Sequence, residues 1–150
     1  METYDKLEIA DQFLDAAINE FLNHGRFLAA LNLAAVAEEL YGKYVRILQK
    51  KDAFQENIEN AKIIWQAQGE ADLEIKEWKK IANVYKNNIK HFNSEADRFV
   101  DIEAEDQARL AIADAMNNRE KLERIESDEI KSFTNWAQEY VAKNVHIEGL

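Results

Sequence analysis

Residues 26–43 have the sequence RFLAALNLAAVAEELYGK, and almost every side chain in residues 27–37 is apolar. A helix that is hydrophobic on nearly all sides lies buried among other helices rather than at a surface. The alanines and Gly42 keep this stretch slim, so that neighbouring helices can approach it closely. We therefore predict a central, buried helix over residues 26–50.

The rest of the chain shows apolar residues at spacings of three and four, which is the period of amphipathic helices. These stripes predict helices over residues 4–24, 53–68, 71–92, 103–125 and 128–142. Gly25 and Gly69 suit the ends of two of them, and the absence of proline leaves few other interruptions. Because no repeat or flexible linker divides the sequence, we predict one all-α domain over residues 1–150.

The composition argues against several classes of protein. The chain has no cysteine, which removes disulfides, thiolate catalysis and cysteine-ligated metals. Its most apolar run, residues 27–37, is about half as long as a membrane span, and residues 1–6 do not resemble a signal peptide. The net charge of −10 argues against an extensive nonspecific nucleic-acid surface. We expect a soluble, cytoplasmic protein that does not contact a membrane.

Positive charge is concentrated in one segment of this acidic chain. Between Lys76 and His91 the only acid is Glu77, whereas the lysines are Lys76, Lys79, Lys80, Lys86 and Lys90. Such a patch can bind a short anionic ligand. A solvated helix face rich in lysine has the same composition and is the simpler alternative.

The segment KNNIKH, residues 86–91, is the strongest candidate for a site. On the predicted fourth helix, Asn87 and His91 lie opposite the apolar stripe, in line with Asn83. Lys86 and Lys90 lie on the flank, so His91 faces water or a second subunit. Histidine transfers protons near neutral pH, and a lysine ammonium stabilises charge on a phosphorane-like transition state. These residue types suit phosphodiester chemistry. The alternative is a surface histidine without a function, on a helix that happens to be rich in lysine.

Two motifs resemble those of a bacterial branch of the HEPN superfamily, the higher eukaryotes and prokaryotes nucleotide-binding domains. Members of this branch carry a stretch similar to Ala-x-Ala-Glu-Glu-Ile-x-Gly-Lys, followed by one similar to Arg-Asn-x-x-Lys-His. In this chain residues 35–43 are AVAEELYGK and residues 86–91 are KNNIKH, in the same order. The similarity extends over roughly residues 5–124, which is most of the chain.

This resemblance implies an antiparallel bundle of four to five main helices, to which we add a C-terminal helix, and a homodimer. In active relatives an arginine and a histidine of both subunits converge on a shared cleft. There they form a metal-independent endoribonuclease in which the ribose 2′-hydroxyl is the nucleophile. Many such proteins belong to toxin–antitoxin or phage-defence systems, often beside a nucleotidyltransferase-type antitoxin. Other relatives only bind or assemble, and neither a cofactor nor a metal is expected.

Carried over by position, His91 corresponds to the catalytic histidine, Asn87 to the polar residue and Lys86 to the arginine. His91 would then be general acid or base, Lys86 the anion stabiliser and Asn87 the orienting group. Lysine keeps the positive charge but lacks the planar, five-donor fork of arginine, which implies weakened turnover or a retired site. Asn93 occupies the position of a tyrosine that some toxin relatives modify, so regulation by nucleotide transfer is not expected.

Two further groups belong to the predicted site for RNA or a nucleotide. The expected nucleic-acid-binding residues are Lys79, Lys80, Asn83 and Lys90. Glu38 and Glu39, on the central helix, either support Lys86 and His91 from behind or form structural ion pairs.

Other chemistries have less support from the sequence. A carboxylate-bridged metal site needs Glu-x-x-His pairs, which the chain lacks. Trp65, Trp78 and Trp136 lie at or beside apolar stripes and are expected to pack in the core or an interface. The leading prediction is a protein that recognises RNA or a nucleotide, with metal-independent ribonuclease activity at Lys86, Asn87 and His91 as an open question. The alternative is a non-catalytic dimerisation or adaptor module with a degenerate site.

Overall fold

The computed structural model describes residues 1–144, apart from the side chain of Ala82. These residues contain helices and no β-strand, so the prediction of an all-α helical bundle is confirmed. The α-helices of this range are α1 (Lys6–Asn19), α2 (Phe27–Ile47), α3 (Ala53–Ala67), α4 (Ile75–Ala82), α5 (Val84–Asn88), α6 (Ala104–Glu120) and α7 (Asp128–Asn144). None of these helices combines the length and the apolar composition needed to cross a bilayer.

Helix α2 forms the centre of the bundle, and α1 and α6 pack along it. Its inward face combines buried alanines with larger side chains such as Leu31 and Tyr41. Leu14 of α1 and Ile112 of α6 are fully buried in the same cluster. Burial of one leucine or isoleucine side chain stabilises a fold by about 1.5–3 kcal/mol. The three helices therefore form the core on which the other elements are placed.

Aromatic side chains attach the outer helices to this core. Phe21 meets Phe133 and Trp136 edge to face, with ring centroids 5.6 and 4.8 Å apart, and so holds α7 against the end of α1. Trp65 of α3 meets Trp78 of α4 at a centroid distance of 5.6 Å. The three tryptophans thus pack against other aromatic rings, as their positions beside apolar stripes predict.

The first predicted helix is present, but its last turn has a different geometry. Glu20–His24 forms a π-helical turn, which the spacing of apolar residues did not reveal. Gly25 follows with φ 62°, a left-handed conformation that favours glycine. The Arg26 amide then donates to the Glu20 carbonyl at 3.0 Å and closes the turn before α2 begins.

The prediction of one continuous helix over residues 71–92 is wrong. The segment begins at Ile75 and divides into α4 and α5 at Asn83, whose backbone has φ −104° and ψ 3°. The Lys79 carbonyl accepts the Asn83 amide at 3.2 Å and also the Asn83 side chain at 2.9 Å. An asparagine side chain that competes in this way for backbone groups disfavours a helix interior. Helix α5 ends at Asn88, and His91 lies beyond it, outside any helix.

Candidate functional site

Most of the predicted site residues gather in an open cleft of about 530 Å³ between α2, the start of α3 and the α4–α5 segment. We name this space the lysine cleft and define it by the residues that line it. Its cationic lining residues are Lys43, Arg46, Lys79, Lys86 and Lys90. Its acidic lining residues are Glu38, Glu39 and Asp52. Its amide-bearing lining residues are Gln55, Asn83 and Asn87. Cationic groups therefore outnumber acidic groups in the cleft, although the chain as a whole is acidic.

Glu38 and Lys86 form an ion pair at the inner wall of the lysine cleft. The Lys86 Nζ atom lies 2.6 Å from Oε2 of Glu38, and the two side chains are 19% and 10% exposed, with Lys86 the more exposed. Glu38 projects from the buried helix α2, whereas Lys86 comes from α5, so the pair attaches α5 to the core. The Lys86 ammonium group is therefore already neutralised within the chain.

Glu39, the neighbouring acid, has a different partner. Its carboxylate accepts a hydrogen bond from Lys43, one turn later on α2, at 2.5 Å, and both side chains are exposed. This bond lowers the pKa of Glu39, and the charges of Lys43, Lys90 and Lys86 lower it further against a smaller opposing effect of burial. The contact with Lys43 is thus the main cause of the lowered pKa, and the two cleft lysines Lys86 and Lys90 add to it.

Two lysines and an amide in the cleft have no such partner. Within residues 1–144, neither Lys79 nor Lys90 forms an ion pair, and both side chains are exposed. Asn87 is also exposed, and its side chain makes no hydrogen bond to another described residue. Asn83 uses its side-chain amide on the Lys79 carbonyl and keeps its side-chain oxygen as an acceptor. These groups are available to a ligand that carries negative charge.

His91 lies outside the lysine cleft. Its side chain is exposed and lines a separate cavity of about 440 Å³, together with Asn88, Asn93, Asp97 and Asp101. One copy of the chain therefore brings Lys86 and Asn87 together in one cavity and places His91 in the next. Lys80, exposed on α4, lines neither of the two cavities.

The two motifs that suggested a family resemblance meet in this structure. No protein-family model, curated protein or solved structure matches the chain. Residues 35–43 of α2 and residues 86–90 nevertheless supply side chains to the same lysine cleft, across the Glu38–Lys86 pair. In residues 1–144, no group of three or more His, Asp and Glu side chains is placed to hold a metal ion.

Two buried polar residues support the lysine cleft, and no sequence pattern assigned either of them to it: Asp52 lines the cleft, and Asn118 lies behind its lining residues. Asp52 is fully buried, pairs with Arg46 and accepts a hydrogen bond from the Gln55 amide at 2.8 Å. Asn118 of α6, also fully buried, accepts from the Ala53 amide at 2.6 Å and donates to the Glu38 carbonyl at 3.2 Å. The spacing of Asp52 and Gln55 is that of a capping box, which predicts where α3 begins but not that a cleft lies above it.

A second polar cluster, centred on Asp11, has a structural role. The Asp11 carboxylate accepts hydrogen bonds from Tyr41 at 2.5 Å, from Arg119 at 2.9 Å and from Arg124. Burial raises the pKa of Asp11, but the hydrogen bonds from Arg124, Tyr41 and Arg119 together outweigh that effect and lower it. Burial, and then the bond to Asp11, raises the pKa of Tyr41. The cluster ties α1, α2 and α6 together and lies outside the lysine cleft.

Proposed function

We propose that this protein binds RNA or a nucleotide in the lysine cleft. The observation that carries the proposal is the presence of two ammonium groups without ion-pair partners in residues 1–144, Lys79 and Lys90, in the same cleft as the free amide of Asn87. Ammonium and amide donors together suit a phosphate group, and the volume of about 530 Å³ falls in the range of small-molecule sites. Cationic side chains concentrated in a concave surface also attract anions from a distance.

Ribonuclease activity in a HEPN-like homodimer is the second candidate function. It is favoured by the exposure of His91, whose ring is accessible to a substrate held between two copies. The ribose 2′-hydroxyl would release its proton to water as its oxygen bonds to phosphorus, the bond from phosphorus to the 5′-oxygen would break with a proton supplied by His91, and a 2′,3′-cyclic phosphate would remain. The Lys86–Glu38 pair opposes this candidate, because it neutralises the charge assigned to the anion stabiliser. Binding therefore has more support than turnover.

The cellular setting that goes with this function is also a proposal. A cytoplasmic HEPN-like protein of toxin–antitoxin or phage-defence type would act as a homodimer and meet a nucleotidyltransferase-type antitoxin. A non-catalytic dimerisation or adaptor module with a degenerate site would share the dimer but lack cleavage. Sedimentation of the purified chain, alone and with such an antitoxin, separates these assemblies by mass.

Binding is tested by fluorescence anisotropy with labelled single-stranded RNA in EDTA. The double variant Lys79→Gln/Lys90→Gln removes the two unpaired ammonium groups, and we expect its affinity to fall at least about tenfold. The matched control, Lys6→Gln/Lys131→Gln, removes two exposed lysines outside the cleft and should change the affinity less than about twofold. An equal loss in both variants, or no binding by the wild type, contradicts the proposal.

Cleavage is tested on the same RNA after prolonged incubation in EDTA. If His91 transfers a proton, the wild type produces fragments with 2′,3′-cyclic ends, and His91→Ala does not. His24→Ala replaces another exposed histidine, which lines neither the lysine cleft nor the cavity of His91. This variant should cleave RNA as the wild type does. If the wild type binds RNA but does not cleave it, the ribonuclease proposal is contradicted and binding without catalysis is supported.

A further inference from the structure

A second concave surface lies between α6 and α7. Helix α7 packs on α1 rather than on α6, so an open groove of about 980 Å³ separates the two helices. We name it the α6–α7 groove. None of the residues predicted for the RNA site lines it, so its role is independent of the lysine cleft.

The lining residues of the groove follow the period of a helix on both walls. On α6 they are Ala113, Met116, Asn117, Arg119 and Glu120. On α7 they include Ile130, Phe133, Thr134, Ala137, Gln138 and Val141. Residues at spacings of three, four and seven form a continuous stripe along a helix, and such stripes normally pack against another helix. Two stripes that line the same groove form a binding surface for a third helix. The small side chains of Ala113 and Ala137 allow that helix to approach closely.

The rim of the groove is negatively charged. Glu120, Glu123 and Glu126 line it and form no ion pair within residues 1–144. Two arginines also line the groove, but Arg119 and Arg124 share the carboxylate of Asp11. With Asp11 they contribute one net positive charge against the three negative charges of the glutamates, so the rim remains acidic. An occupant with positive charge beside its apolar contacts is therefore favoured over a neutral or acidic one.

Apolar side chains remain exposed at this surface. Val141, on the α7 wall, is 53% exposed, and Met116, on the α6 wall, is half-buried. Apolar side chains that are exposed together at a concave surface mark a site of association. The exposed apolar positions and the acidic rim thus occur on the same surface.

We propose that the α6–α7 groove binds an amphipathic helix of a partner protein, with an apolar stripe that is flanked by lysine or arginine. The apolar stripe packs between Met116 and Val141, and the basic flank meets Glu120, Glu123 and Glu126. The lining residues span 113–120 on α6 and 130–142 on α7, so the groove contacts a partner helix over roughly two to three and a half turns. This is the helix-in-groove mode of recognition, in which apolar anchors recur at spacings of three, four and seven.

Charge distinguishes this occupant from two others. A fatty acid would place its carboxylate beside three glutamates, which opposes binding. A second copy of the chain, docked groove to groove across a two-fold axis, would bring the same glutamates together from both sides. A basic helix instead places positive charges beside the three glutamates.

The probe for this proposal is a synthetic peptide of about 18 residues, built from leucine and lysine at helical amphipathic spacing. Isothermal titration calorimetry measures its affinity for the full chain. A peptide of the same composition in scrambled order controls for charge alone. We expect the amphipathic peptide to bind at least about tenfold more tightly than the scrambled one. Equal binding of the two peptides, or no binding of either, overturns the proposal.

Matched variants locate the binding site. Glu123→Lys/Glu126→Lys reverses two rim charges and should weaken the amphipathic peptide about tenfold or more. Glu70→Lys/Asp72→Lys makes the same change of net charge in an exposed loop and should have little effect.

The apolar contact is tested in the same titration. Val141→Asn should weaken binding about fivefold, and the control Ile63→Asn, at an exposed position of α3, should not. Equal losses in a groove variant and its control overturn the proposal. So does a wild-type dimer that Val141→Asn dissociates, because a second copy then occupies the groove.

Discussion

The Lys86 ammonium lies 2.6 Å from the Glu38 carboxylate, and this contact joins the short helix α5 to the buried helix α2. Both side chains are largely shielded from solvent, so their attraction is stronger than that of a surface pair. The pair has opposite consequences for stability and for ligand binding. It anchors the lysine cleft to the core, and it neutralises a cation that would otherwise attract a phosphate.

Glu38→Gln is expected to separate these two consequences. Glutamine keeps the size of the side chain but leaves the Lys86 ammonium without its counter-charge in a largely buried position. Breaking a buried pair at one partner is strongly destabilising, and we expect the free energy of unfolding to fall by about 3 kcal/mol. The freed ammonium should raise the affinity for single-stranded RNA by several-fold. Urea denaturation and anisotropy measure the two changes.

Glu39→Gln serves as the control for this substitution. It breaks the exposed pair with Lys43 and should change the free energy of unfolding by no more than about 0.5 kcal/mol. The two glutamates are adjacent in the sequence and line the same cleft. The two variants therefore have the same composition and change the charge at the same place. Equal effects of the two variants would show that the Glu38–Lys86 pair does not anchor α5.

Gly42→Ala is expected to destabilise the protein although alanine favours helices. A methyl group at this position would lie 3.1 Å from Nδ2 of Asn118 and 3.1 Å from Oδ2 of Asp52. Both neighbours are fully buried and hydrogen-bonded, so neither can move without the loss of a bond. Overpacking of this kind costs about 1–3 kcal/mol, which exceeds the gain in helix propensity of about 1 kcal/mol.

Thermal unfolding monitored by circular dichroism measures the sign of this effect. Asn32→Ala, at an exposed position of the same helix, provides the control, because it adds helix propensity without a steric conflict. We expect the control to stabilise slightly and Gly42→Ala to destabilise. A Gly42→Ala variant as stable as the control would mean that Asp52 and Asn118 accommodate the methyl group freely.

Asp11→Asn is expected to have an effect that depends on pH. The pKa of Asp11 in the folded protein lies below its ordinary value of 3.8, because the hydrogen bonds from Arg124, Tyr41 and Arg119 outweigh burial. A lowered folded-state pKa contributes stability that is complete above the unfolded value and is lost as the pH falls through the folded value. At neutral pH the substitution leaves two arginines without their counter-ion and should cost about 3 kcal/mol.

Urea denaturation at several pH values tests that dependence. The difference between the wild type and Asp11→Asn should be constant above about pH 5 and shrink below about pH 3.8, as the carboxylate becomes protonated. Asp72→Asn, in an exposed loop, should match the wild type at every pH. A difference between the wild type and Asp11→Asn that is independent of pH would assign the effect to lost packing instead of lost charge.

The fold could be predicted where periodicity alone determines the structure. The buried helix α2 follows from its continuous apolar run, and α3 ends within one residue of its predicted limit. The π-helical turn at Glu20–His24 was missed because it continues the same apolar spacing with a different hydrogen-bond pattern. The break at Asn83 was missed because one side chain that bonds to the Lys79 carbonyl outweighs a stripe that continues on both sides.

The candidate site was predicted in part, for a related reason. The lysines and asparagines of the α4–α5 segment are close in sequence, so a local pattern indicated them. Asp52 lines the lysine cleft from the start of α3, and Asn118 of α6 binds the backbone of Ala53 and Glu38 behind it. These residues are distant in the sequence from the α4–α5 segment, so no local pattern reveals that they support the same cleft. The alignment of Asn87 with His91 assumed a regular helix, and α5 ends before His91.

Asn83→Ala is expected to join α4 and α5 into one helix. The substitution removes the side-chain bond to the Lys79 carbonyl and places a strong helix former at the break. A continuous helix turns by about 100° per residue, so regularising the break rotates residues after position 83 relative to α4. Lys86 then moves away from Glu38, and the stability conferred by their pair is reduced even though helix content rises.

Nuclear magnetic resonance measures both changes, through the Cα chemical shifts of residues 82–85 and the amide exchange rates of α5. Asn88→Ala, at the end of α5, adds the same propensity where the helix already stops and should leave the break in place. Helical shifts at position 83 in Asn83→Ala alone, with faster exchange in α5, are the expected result. If the break persists without the asparagine side chain, then packing of α5 against α2 maintains the break, and the hydrogen bond to Lys79 is its consequence.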